Sequence, residues 1–185
     1  NRDLILLIIF EKFSSIEETK EILIKNKHFL EFIFDQLNPS MPFISLIIIL
    51  EIFVNLTWTS LNIQTLFFEK LTKKFQNPIH PIVRILKQSK NVHVQCQCLK
   101  TIISFIESTP EFLKNDINVT LIKRGMKNEL AKTKQRILND EIYFGADKNI
   151  NSEAESFLNH NLFRKFLENE EAKEFDDNFD LSGCL

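Results

Sequence analysis

Residues 50–56 read LEIFVNL, and residues 99–105, which follow 49 positions later, read LKTIISF. Upstream, residues 10–13 (FEKF) align with residues 53–56 (FVNL) at a spacing of 43. The apolar positions in these segments have helical spacing, and no stretch of the chain sustains a period of two. A period of about 40 to 50 residues built only from helices predicts stacked helical units, each of which buries a face on its neighbours.

The composition supports an all-α chain. Of 185 residues, 44% are hydrophobic and only three are glycine, while the formal net charge is −2. This much apolar side chain must be buried, which excludes disorder throughout, and so little glycine disfavours the many tight turns of a β-sandwich. Ser15-x-x-Glu18 and Ser152-x-x-Glu155 are capping-box patterns, and Asn38-Pro39 and Asn77-Pro78 indicate breaks between helices.

Two apolar stripes predict which side chains are buried. One stripe follows Ser15 and the other lies near residue 100, and each repeats at helical spacing. The first contains Ile22, Phe29, Leu30, Ile33, Phe34 and Leu37; the second contains Val92, Cys96, Leu99, Ile103 and Ile106. We therefore expect Cys96 to be a small core residue.

Three stretches carry a resemblance to a known superfamily. Residues 16–30 look like the armadillo stretch that precedes a second helix, residues 52–56 like the third-helix stretch with its groove asparagine, and residues 86–95 like the junction between repeats. Over about residues 4–126 the chain resembles the armadillo/HEAT helical-repeat superfamily.

The resemblance implies an α-solenoid. We expect stacked armadillo/HEAT-like helical repeats over residues 1–130, helices that cap the stack over 131–167, and an acidic C-terminal tail over 168–185 that is flexible or docked on a partner. The helix around Leu4–Phe10 is apolar on all sides, which predicts that something covers it. We read the chain as a fragment or a processed product for that reason.

The resemblance also implies a concave groove. The groove asparagine is Asn55, and Lys12 and Ser104 hold the equivalent positions, with Glu51 and Lys100 one turn earlier. An asparagine side chain donates and accepts hydrogen bonds, which suits the backbone of an extended peptide. Ordinary solvation of these helices explains the same residues equally well.

Trp58 is a second candidate for partner binding, because tryptophan is a frequent interface anchor, although a lone tryptophan is also often a core residue. The tryptophans that nuclear-import adaptors carry in the groove are replaced here by Ile8, Glu51 and Lys100. We therefore do not expect recognition of basic nuclear-localisation peptides.

Two charged segments lie in the C-terminal part. The first is a basic patch in which Glu129 is the one acid: Lys123, Arg124, Lys127, Lys132, Lys134 and Arg136. A solvated helix face explains it better than phosphate binding, and no aromatic side chain interleaves it to stack on bases, so a nucleic-acid partner is not expected. The second is the tail, where Phe175, Phe179 and Leu181 stand among seven acidic residues. It docks on a partner, covers the basic body or stays disordered; these three alternatives remain open.

No catalytic pattern stands out. His93, Cys96 and Cys98 form the densest set of potential metal ligands, but Cys98 is rotated about 200° from Cys96 on an ideal helix, so we expect no metal site. No cofactor and no small-molecule substrate are expected, and we predict that the chain is not an enzyme. Three cysteines without framework spacing indicate a reducing, cytoplasmic compartment. The apolar run Phe43–Leu56 is too short and too often interrupted for membrane insertion.

The sequence therefore predicts a non-catalytic scaffold or adaptor that binds protein partners, within a larger complex, through the concave face. One alternative is a structural subunit embedded in a large assembly, such as a ciliary or centriolar complex with cytoskeletal association. Another is a helical nucleic-acid-associated protein that uses the basic stretch 123–136.

Overall fold

The computed structural model describes residues 2–110, and this part of the chain is all-α, as the sequence predicts. It contains no strand within those residues. The helices are α1 (Arg2–Ser14), α2 (Glu17–Lys25), α3 (Lys27–Asp35), α4 (Phe43–Thr57), α5 (Leu61–Phe75), α6 (His80–Gln88) and α7 (Val92–Ser108).

Helix ends follow local hydrogen bonding. The Asn26 side chain caps α3 by accepting from the Phe29 amide at 3.0 Å, and Asn91 caps α7 by accepting from the Val94 amide at 3.1 Å. The capping-box prediction at Ser15 is wrong, because α2 is preceded by Ile16, and the Ser15 hydroxyl instead donates to the Lys12 carbonyl at 2.8 Å.

Helices α4 and α7 form the centre of the part of the chain that the structure describes. Helix α4 packs against both α1 and α7, while α6 packs on α7, and α2 contacts α1, α3 and α5. The α4 side chain of Phe53 is fully buried and its ring contacts those of Phe34, Phe67 and Phe105, which belong to α3, α5 and α7. This aromatic cluster therefore ties four helices together.

The predicted stripe after Ser15 is only partly buried. Phe29, Leu30 and Ile33 are buried, but Ile22 is 67% exposed. The break at Asn26 divides this segment into two short helices, and the face that α2 buries is that of Lys20, Leu23 and Ile24. Helical spacing counted through Asn26 thus assigns Ile22 to the wrong face.

The cysteine prediction on α7 is corrected as well. Cys96 is half-buried, whereas Cys98 is completely buried. Helix α7 packs against α4 and α6 at once, so it buries more than the single stripe that the sequence indicates.

Among the described residues, no helix is long and apolar enough to cross a membrane. The predicted capping helices of 131–167 and the acidic tail of 168–185 lie outside the described residues, as does the capping-box pattern at Ser152.

Candidate protein-binding surface

Apart from Trp58, which directly follows α4, the predicted groove residues lie on the three helices α1, α4 and α7. We call five polar residues on these helices the row face: Lys12 on α1, Glu51 and Asn55 on α4, and Gln97 and Lys100 on α7. The spacings of 43 and 49 residues relate these positions to one another along the chain.

Glu51 is the centre of a polar cluster between α4 and α7. Its Oε2 accepts from Nε2 of Gln97 at 2.6 Å, and Nζ of Lys100 lies 3.2 and 3.1 Å from its two carboxylate oxygens. Both charged side chains keep about a third of their surface in solvent. Such partly exposed pairs stabilise a fold by only about 0–1 kcal/mol, so the main effect is to hold both charges in fixed positions.

Asn55 connects α4 to α1. Its Nδ2 donates to the Ser14 hydroxyl at 3.1 Å, and that hydroxyl donates to the Glu11 carbonyl at 2.7 Å. In the described part of the chain, Oδ1 of Asn55 accepts no hydrogen bond, so the amide is engaged through its NH₂ group alone.

Ser104 does not lie on an open surface. It is 3% exposed, and its hydroxyl is hydrogen-bonded to that of Thr57, which in turn donates to the Val54 carbonyl at 2.7 Å. The predicted groove role of Ser104 is therefore corrected: its hydroxyl is part of the packing between α4 and α7. The hydroxyl has its hydrogen-bond partner inside this contact and is not accessible to a binding protein.

These two polar contacts occupy equivalent positions in the sequence. The spacing of 43 relates Ser14 to Thr57, and the spacing of 49 relates Asn55 to Ser104. The Ser14–Asn55 contact between α1 and α4 thus recurs as the Thr57–Ser104 contact between α4 and α7. Sequence reasoning missed Ser14 and Thr57, although two hydroxyl residues at one register position were a usable signal.

Trp58 follows α4 directly and is 55% exposed, so it is not a core residue. Its carbonyl accepts from Nζ of Lys20 at 2.5 Å, and the next residue, Thr59, donates from its hydroxyl to Oε1 of Glu17 at 2.6 Å. These two contacts fix the turn that carries the indole to α2.

Lys20 and Glu17 form the ion pair beneath this turn. Lys20 is 6% exposed and its Nζ lies 2.8 Å from Oε2 of Glu17. The hydrogen bond from Lys20, followed by that from Thr59, holds the pKa of the Glu17 carboxyl below its usual value. The contact therefore depends on an ionised Glu17.

A shallow cavity of about 340 Å³ lies between α2 and α5. It is lined by Glu21, Lys25, Asn62, Ile63, Thr65, Leu66 and Glu69. Lys25 is paired with Glu21 at 2.5 Å, and the lining contains neither histidine nor cysteine.

The predicted metal-ligand candidates are not brought together. His93 is exposed, whereas Cys98 is buried, and burial raises the pKa of the Cys98 thiol, which keeps it protonated. Within residues 2–110, no group of three histidine, cysteine, aspartate or glutamate side chains is arranged to hold a metal ion.

The remaining predicted sites lie outside the described residues. They are the basic patch (Lys123, Arg124, Lys127, Lys132, Lys134 and Arg136) and the tail residues Phe175, Phe179 and Leu181.

Comparison with known proteins finds no matching protein family, no matching curated sequence and no matching solved structure.

Proposed function

We propose that the chain is a non-catalytic protein-binding scaffold, built as an α-solenoid of armadillo/HEAT-like repeats, and that it binds an extended partner segment across the row face. The observation that carries the proposal is the polar contact that recurs in one register: Ser14 with Asn55, and Thr57 with Ser104. The recurrence supports a repeat because each helix of a stack meets its neighbour through the same positions.

The order of the helices supports the same arrangement. After α1 come two units of three helices, α2–α3–α4 and α5–α6–α7, and each unit ends on a helix that packs in the row of α1, α4 and α7. Equivalent helices stacked side by side produce the extended surfaces that repeat proteins use for binding.

The chemistry of the row face supports an extended polypeptide as the ligand. Glu51 and Lys100 present charges of both signs in fixed positions, and Asn55 offers an amide oxygen. Ile8 and Ile44 add exposed apolar area on α1 and α4. Backbone amides, charged side chains and a few apolar side chains of one peptide would satisfy these groups together.

A displayed library of random peptides, selected on the purified chain, tests this proposal. Replacement of Glu51 by lysine should weaken the binding of the selected peptides at least tenfold, because it reverses the central charge and places a second cation beside Lys100. Glu31→Lys on α3 is the matched control, since Glu31 is exposed and lies away from the row face. Titration calorimetry measures both affinities.

The single tryptophan gives an independent readout. Trp58 is the one tryptophan of the chain, so its emission reports on the end of α4 alone. A peptide that docks along the row face should shift this emission to shorter wavelength as the indole is covered.

Equal affinities for Glu51→Lys and Glu31→Lys would place the binding site elsewhere and would contradict the proposal.

A structural subunit of a larger assembly is the second candidate. The observation that favours it is the exposed apolar surface of α1, where Ile5, Ile9 and Phe13 face solvent. Contiguous apolar area of this kind usually marks an interface. A cytoplasmic location is supported for either function by the three cysteines of the chain, which lack the spacing of a disulfide framework.

A further inference from the structure

Positive charge is concentrated on the later helices of the described part of the chain. Residues 70–106 contain seven basic residues and no acidic one, whereas residues 2–69 contain nine acidic and five basic residues. The helices α5 to α7 therefore carry a net positive charge, and α1 to α4 carry a net negative charge. A distribution this uneven attracts an anionic segment to one part of the fold and repels it from the other.

Five of these cations are exposed on or beside α5 and α6. On α6, Arg84 and Lys87 stand three residues apart in solvent, and the apolar side chains of the helix are buried. Lys70 and Lys73 have the same spacing on α5 and are exposed as well, and the exposed Lys90 follows the end of α6. We call these five residues the α5–α6 cations.

Most of the α5–α6 cations are not neutralised by a neighbouring carboxylate. The other two cations of the stretch, Lys74 and Lys100, are paired with Asp35 at 2.8 Å and with Glu51 at 3.1 Å. Within residues 2–110, no ion pair is formed by the following four: Lys70, Lys73, Arg84 and Lys90. These charges are therefore available to an anionic partner.

The acidic tail, residues 168–185, has the complementary charge. It contains seven acidic residues and one basic residue. Fully extended, a segment of this length reaches about 60 Å. Helix α5 is about 23 Å long and α6 about 14 Å, so the tail is long enough to meet cations on both helices.

The basic patch at 123–136 is the competing surface. It includes Glu129, and Asp140 and Glu141 follow it within five residues. Residues 70–106 contain no acidic residue that would repel the carboxylates of the tail. The charge pattern therefore favours α5 and α6 over this patch.

We propose that the acidic tail docks on the α5–α6 cations of its own chain. A single exposed ion pair stabilises a contact by only about 0–1 kcal/mol, so the docking depends on several pairs acting together. Attachment to the same chain raises the effective concentration of the tail without any further contact. The inference goes beyond peptide binding and does not depend on it, because α5 and α6 carry none of the row-face residues.

Carbodiimide cross-linking of the purified full chain tests the docking, because this reagent joins a carboxylate to a lysine amine that touches it. Mass spectrometry of the monomer is expected to find residues of the tail linked to Lys70, Lys73, Lys87 or Lys90. The yield should not change on dilution and should fall at high salt, which screens exposed charges. Links to the basic patch at 123–136, links between two chains, or no link to the tail would each overturn the proposal.

A paired charge reversal tests the surface itself. Arg84→Glu with Lys87→Glu should lower the yield of links between the tail and Lys90 about fivefold, because two attractive positions become repulsive. Lys25→Glu with Lys27→Glu is the matched control: it changes the net charge equally, at exposed positions on α2 and α3, and should leave the yield unchanged. Circular dichroism confirms that both variants are folded. Equal yields in the two variants would contradict docking on α6.

A fluorophore on Cys184 gives a second readout that does not depend on cross-linking. In a Cys96→Ser background the label reports on the tail, since Cys98 is completely buried. Docking predicts that the anisotropy of the label falls at high salt and in the Arg84→Glu/Lys87→Glu variant. An anisotropy that neither change lowers would show that the tail does not bind these cations.

Discussion

Replacement of Phe53 by alanine is expected to lower the free energy of unfolding by about 3–5 kcal/mol, the largest effect of any single substitution considered for this chain. The Phe53 ring is fully buried, with its centroid 6.0, 5.8 and 6.2 Å from those of Phe34, Phe67 and Phe105. Its removal opens a cavity where α3, α5 and α7 meet α4, and these helices cannot all collapse into that space.

Urea denaturation followed by circular dichroism measures this loss. Ile22→Ala is the control, because Ile22 is 67% exposed and its truncation should change the free energy of unfolding by no more than about 0.5 kcal/mol. A loss below about 1 kcal/mol for Phe53→Ala would contradict the position of this residue at the centre of the core.

Replacement of Lys20 by methionine is expected to lower the free energy of unfolding by about 1–3 kcal/mol at neutral pH. Methionine keeps the packing of the buried stem but removes the donor to the Trp58 carbonyl and the partner of Glu17. The turn at Trp58 should loosen as a result, and quenching of its fluorescence by acrylamide should increase.

The destabilisation caused by Lys20→Met should also depend on pH. Because Lys20 lowers the folded-state pKa of Glu17, the stability from this pair is present above the unfolded-state pKa of about 4.3 and is lost as the pH falls through the folded-state value. The difference between wild type and Lys20→Met should therefore shrink below about pH 4.

Lys25→Met is the matched control for this pair. Lys25 pairs with Glu21 on the same helix, but both side chains are largely exposed, so the loss should stay below about 1 kcal/mol. Equal losses for Lys20→Met and Lys25→Met, or a loss that is constant from pH 3 to pH 7, would show that the Lys20–Glu17 pair does not hold the turn.

Much of the fold could be predicted because apolar spacing reports burial directly. Phe29, Leu30 and Ile33 repeat at helical intervals and are buried, and the run from Phe43 to Leu56 forms most of α4, at the centre of the core. The row of α1, α4 and α7 corresponds to the segments that align at spacings of 43 and 49.

The errors come from contacts that spacing alone does not contain. The capping interaction of Asn26 ends α2 and begins α3, which moves Ile22 to the surface. Asparagine is common at helix caps and in ordinary polar positions alike, so its type alone does not mark the break.

The candidate site could be predicted only in part. The spacing of 49 residues aligns Glu51 with Lys100, and the two side chains are in contact. Ser104 shares a register with Asn55 but is buried, because Thr57 supplies a hydrogen-bond partner from inside the α4–α7 contact. Burial depends on how close two helices approach, and residue spacing does not give that distance.

The shared register of α1, α4 and α7 is the central claim, since the row face depends on it. Paired cysteines test it most directly: Ser14→Cys with Asn55→Cys, and Thr57→Cys with Ser104→Cys. Each pair replaces side chains that are in hydrogen-bond contact. The background carries Cys96→Ser and Cys184→Ser, and Cys98 stays because its buried, protonated thiol is unreactive.

Oxidation followed by mass spectrometry reads out the disulfides in each variant. The shared register predicts an intramolecular disulfide in both pairs, and none in the mismatched pair of Ser14→Cys with Ser104→Cys, whose helices pack on opposite sides of α4. A disulfide in only one of the matched pairs, or in the mismatched pair, would contradict the repeat and the row face built on it.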